Sequence, residues 1–114
     1  MSDKLFDFKD LSDSAKQTAV KNFAIFYVHQ YANNNMELIA NYDVDGVVQD
    51  INRDLYINRF NLESTIISDS VSERFTKYAH LLENIDQKYF DNGNVEKSWD
   101  LWYQDKYANV KRGL

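Results

Sequence analysis

The sequence predicts a mainly α-helical fold, a small bundle of about four amphipathic helices with room for a minor two-stranded β element. Three observations carry this expectation. Proline is absent from the 114 residues and only three glycines interrupt them, so long helices go unbroken and a many-turned sheet lacks its turns. Apolar residues recur at steps of three and four along most of the chain. Hydrophobic residues make up 44% and charged residues 27%, enough apolar material for residues 1–114 to form a single helical domain around one core.

The elements follow in order. Phe6 and Phe8 alternate with Asp7 and Lys9 in a short extended stretch. Ser12 then fits an N-cap, its hydroxyl accepting a first-turn amide. Ala15, Ala19, Phe23, Phe26, Tyr27 and Tyr31 form one buried stripe of a helix reaching Asn33. There Asn33-Asn34-Asn35 offers side chains that compete with helical hydrogen bonds. Met36 to Tyr42 fits a short helix. Val44, Val47, Val48, Ile51, Leu55 and Leu62 share about a third of a helical circumference and predict a second long helix. Tyr56, Ile57 and Phe60 fall outside that stripe, so this end of the helix meets either a central packing position or a partner.

Leu62 to Ile67 is β-branched enough to predict a short strand or extended connection, pairing with the Phe6–Phe8 stretch. Ser70-Val71-Ser72-Glu73 reads as a capping box that opens the third long helix. Val71, Phe75, Tyr78, Leu82, Ile85 and Tyr89 follow at bundle spacing, and Gly93 supplies the stop. A last helix is expected from about Asn94, with Val95, Trp99, Trp102, Tyr103, Tyr107 and Val110 on one side.

Composition also narrows function. Without cysteine there are no disulfides, thiolate metal sites or cysteine nucleophiles, which suits a reducing cytoplasm. Asp3, Lys4, Asp7 and Lys9 break up the first ten residues, so no signal-peptide core is expected there. The longest apolar run, Phe23 to Val28, is six residues, far short of a membrane span. A Gly-rich phosphate loop, a G-x-S-x-G elbow and an H-E-x-x-H motif are all missing. His29 and His80 lie on separate predicted helices without a sequence-local acid or nucleophile, and are expected at the surface or in hydrogen bonds. No catalysis and no cofactor are expected.

Asn41-Tyr42-Asp43-Val44-Asp45-Gly46-Val47-Val48 matches part of an EF-hand loop, with oxygen side chains at positions one, three and five and glycine at six. Asn52 stands where the bidentate glutamate belongs, and two carboxylates are too few to dehydrate calcium well. The expectation is that Asp43 or Asp45 caps the following helix and that no metal binds.

Net charge is -5, and all of it falls between Glu37 and Asp69, where seven acids face two bases. Such a chain lacks the basic footprint that binding a phosphate backbone demands, so a protein partner with a basic surface is expected and direct nucleic-acid binding is not. Asp43, Asp45, Asp50 and Asp54 are the candidates for the charge. Aromatic residues reach 15%, and Trp99, Trp102 and Tyr103 crowd one turn as candidate anchors, with core packing as the competing reading for the tryptophans. The alternative role is a structural or homo-oligomerising module in which the Val71–Tyr89 seam pairs between copies.

The opening Phe6-x-x-x-x-Leu11-Ser12-x-x-Ala15-Lys16-x-x-Ala19 resembles the start of small uncharacterised accessory proteins encoded by phages and prophages of low-GC Gram-positive bacteria. The resemblance covers about the first fifth of the chain. It implies an accessory protein acting by stoichiometric binding, a group that includes anti-CRISPR inhibitors of host defence nucleases.

Overall fold

The computed structural model describes residues 4–33 and 35–112, with side chains described as far as Ala108. Six α-helices are present among them: α1 (Asp13–Ala32), α2 (Glu37–Ala40), α3 (Val47–Ile57), α4 (Glu63–Ser72), α5 (Phe75–Asn84) and α6 (Trp99–Arg112). A single 3-10 turn, Phe8–Asp10, precedes them. The fold is mainly α, a small bundle, with more and shorter helices than the four expected.

α1 starts where its cap dictates, because the Ser12 hydroxyl accepts the Ala15 amide at 3.2 Å. It ends at Asn33, whose backbone N–H returns to His29 O and whose side-chain amide donates to the same carbonyl at 2.9 Å. The predicted stripe is buried from Ala15 to Tyr27, with Tyr31 partly covered. Val20, Ala24 and Val28 are buried as well, so α1 is covered around most of its circumference. It is the central helix, packed by α4, α5 and α6. Tyr27 ties it to α3, donating its hydroxyl hydrogen to Asn52 Oδ1 at 2.6 Å.

Three sequence expectations give way here. Leu62 to Ile67 is not a strand; Leu62 precedes α4 and Glu63 to Ile67 form its first half, where Ile66 is buried against the core and tertiary packing overrides β-branched propensity. Phe6 does pair, but with Tyr89, through Phe6 N to Tyr89 O at 2.8 Å and Tyr89 N to Phe6 O at 3.0 Å; Tyr89 also bridges Val95. Ser70 opens no helix. It lies buried inside α4, its hydroxyl bonded to Ile66 O at 2.8 Å, and the helix break comes at Glu73-Arg74.

α5 then ends at Asn84, and Gly93 serves packing rather than helix termination. Its backbone runs so close to α1 that a Cβ there would stand 2.1 Å from Ala15 O. α6 starts five residues later than expected, at Trp99, where the Ser98 hydroxyl accepts the Leu101 amide at 3.3 Å. The Val110 side chain lies outside the described residues.

The core is strongly aromatic. Trp99 sits 4.8 Å from Phe23 and 5.4 Å from Trp102, ring centre to ring centre, while Tyr78 meets Phe23 and Tyr27 edge-on. Burial raises the hydroxyl pKa of Tyr27 and Tyr89 strongly, and pushes Tyr78 up to about 12. No described helix is long and apolar enough to cross a membrane.

Candidate functional site

The local sequence around residues 56–62 leaves apolar side chains with nothing to cover them. α3 stops because Asn58 caps it, its side-chain amide donating to Asp54 O at 2.8 Å while its backbone N–H does the same at 3.1 Å. A turn follows, closed by Asn61 N to Asn58 O at 2.9 Å and by an Asn61–Asn58 side-chain bond at 3.2 Å. The turn and helix end present Tyr56 at 57% exposure, Ile57 at 65%, Phe60 at 88% and Leu62 at 75%. The open question of whether Tyr56 and Phe60 pack inside is thereby answered: both face solvent. Leu62, expected on the buried stripe, leaves it because α3 ends five residues earlier.

Arg59 organises this patch. Its guanidinium donates to Tyr56 O at 2.7 Å and lies 3.9 Å from the Tyr56 ring centre and 4.7 Å from that of Phe60. Beside it runs a groove of about 260 Å³ lined by Val28, Tyr31, Ala32, Leu55 and Ile66, with Arg59 at its edge. Sequence reasoning marked Tyr56, Ile57 and Phe60 by their place off the stripe, and missed Arg59. The available signal was an arginine placed between two aromatics, at one and three residues' distance.

The four predicted aspartates sit along or before α3, and each is engaged within the chain. Asp43 accepts the Val48 amide at 3.0 Å and so caps α3. Asp45 and Gly46 both have positive φ, the signature of a type I′ turn, and Asp45 accepts from His80 at 3.1 Å. Asp50 pairs with Arg53 at 3.5 Å. Asp54 pairs with Lys77 at 3.2 Å and with the buried Arg74 at 3.5 Å. Arg74, just before α5, and Lys77 and His80 on it thus meet Asp54 and Asp45.

Trp99 and Trp102 are 6% and 3% exposed and pack in the core, the competing reading to an anchor role. Tyr103 is half-buried, its ring edge-on to Phe26. Of the Val71–Tyr89 seam, Tyr78, Leu82, Ile85 and Tyr89 are buried inside the molecule, while Val71 and Phe75 are half-buried.

Both histidines hold distant carboxylates. His29 Nε2 lies 2.6 Å from Glu63 Oε1, as His80 Nε2 lies 3.1 Å from Asp45 Oδ2. Among the described residues neither imidazole bonds a hydroxyl that it could activate, and no three acids or histidines converge as metal ligands. A hollow of about 560 Å³ between α1 and α4 is lined by Lys21, Ile67, Val71 and three serines, without a paired acid and base. Comparison with protein-family models, with curated proteins and with solved structures finds no match to this chain.

Proposed function

We propose that the protein acts by stoichiometric binding to another protein, and that Tyr56, Ile57, Phe60 and Leu62 form the docking surface. One observation carries this reading: four large apolar side chains within seven residues, each more than half exposed. Keeping such a cluster in water forgoes roughly 1.5–3 kcal/mol per side chain that burial would return, which a partner recovers. Tyrosine and arginine are also the residue types in which interface energy concentrates. The net charge of -5 steers a partner with a basic surface toward the molecule. The most concrete version is a phage or prophage accessory protein, anti-CRISPR-like, that inhibits a host defence nuclease; its support is that charge and the N-terminal resemblance.

The test replaces Tyr56, Ile57, Phe60 and Leu62 together with serine. The variant should keep its melting temperature, because exposed side chains contribute little to folding, and should lose a partner captured from host lysate. Retained capture would end this reading. Wild-type capture should also weaken with added salt; salt independence would remove the basic partner.

The same patch supports a homo-oligomer as second reading, since an exposed apolar face is self-complementary across a two-fold axis. Light scattering separates the two. A wild-type dimer that the serine variant abolishes favours self-association, and a monomer favours a foreign partner.

A further inference from the structure

We infer that the groove beside Arg59 takes an apolar side chain of the partner protein whose neighbouring residue is a carboxylate, so that the docking surface recognises an apolar-acidic pair. This deepens the docking reading and rests on it. Size argues first. A space of about 260 Å³ is below the roughly 300–1,000 Å³ of pockets that engulf a small-molecule ligand, and suits one leucine- or phenylalanine-sized side chain. Chemistry argues next, because Val28, Ala32, Leu55 and Ile66 line the groove with hydrocarbon, and Tyr31 and Arg59 supply its polar groups.

Charge decides the neighbour. The acids nearest Arg59 in the chain are paired elsewhere: Asp50 with Arg53, Asp54 with Arg74 and Lys77, and Glu63 with His29. Among the described residues, Arg53 and Arg74 pair with carboxylates and Arg59 pairs with none. Its guanidinium is held on two aromatic faces and spends one N–H on Tyr56 O, leaving donors in a fixed fork for a bidentate acid. Long-range steering and local contact then differ in sign: the whole molecule attracts a basic surface, while the groove edge selects an acid.

The test uses capped peptides containing Leu-Asp, Leu-Asn or Leu-Lys, titrated into the isotopically labelled full chain and followed by amide chemical shifts. The Leu-Asp peptide should shift Val28, Leu55, Arg59 and Ile66 and bind about tenfold more tightly than Leu-Asn, with Leu-Lys weakest. Arg59→Gln should erase the Asp preference while leaving apolar binding. Ala32→Phe, which fills the groove, should abolish both; if that variant unfolds, Ile66→Ala, which enlarges the groove, should shift preference toward a Phe-Asp peptide. Equal binding of the three peptides, shifts elsewhere, or no binding at about 10 mM would overturn the inference. So would concentration-dependent shifts of the same residues without peptide, which would make a second copy the occupant. If the peptides show no preference while the serine variant still loses its partner, this inference falls and the docking reading stands.

Discussion

A methyl group added at residue 93 would meet backbone, not a side chain that can swing away. Gly93 has φ +92 and its missing Cβ faces Ala15 O at 2.1 Å, so Gly93→Ala must move the chain off α1. The expected cost is roughly 2–4 kcal/mol, a fall in Tm of at least about 8 °C. Gly46, at φ +75 with nothing within 4 Å, isolates the torsional part, and Gly46→Ala should cost only about 1–2 kcal/mol. Thermal melts of the two variants check both values, and equal losses would refute the close approach. Gly93 could be noticed in the sequence, but its role could not be read there. A glycine stop is a local pattern, whereas a glycine that lets two distant backbones touch is visible only after folding.

At the scale of elements, α3 and α5 lean on each other through Asp54, whose charge the sequence alone assigns to a partner. Asp54→Asn leaves the buried Arg74 guanidinium without its carboxylate, and should destabilise by about 2 kcal/mol after allowance for the third of Asp54 that water reaches. Asp50→Asn, which loses only an exposed pair with Arg53, should change stability by less than about 0.5 kcal/mol. Urea midpoints of the two variants measure the contrast. The acidic row of α3 was legible because helical periodicity is local. That Arg74, Lys77 and His80 come to meet it was not, since they lie twenty or more residues away. The same limit explains Ser70. Its spacing to Glu73 matches a cap, yet the burial of Ile66 one turn earlier extends α4 through it. Ser12 was read correctly because nothing tertiary competes for its hydroxyl.

For the whole molecule, the three buried tyrosines set an alkaline limit. An unfolded tyrosine releases its proton near pH 10, whereas Tyr78 holds it to about 12 and Tyr27 and Tyr89 hold theirs longer. The folded state then binds more protons than the unfolded one, so this contribution is fully present below pH 10 and lost as pH rises beyond it. Stability should fall by up to about 4 kcal/mol per pH unit in that range. Melts from pH 9 to 11.5 should show a constant Tm up to about 10 and a steep fall after it; a flat profile would contradict the buried hydroxyls. The fold class was legible from proline, glycine and periodicity, and three of the four exposed apolar residues of the patch from their misfit to the α3 stripe. The groove was not, because α1, α3 and α4 each contribute to it. One consequence follows from the tryptophans. Both indoles are buried in a cluster with Phe23, Phe26 and Tyr42, and neither lines the groove beside Arg59. Their intrinsic fluorescence should therefore register unfolding and stay silent when a ligand settles on the patch, giving the experimenter an optical channel that distinguishes a broken protein from an occupied one.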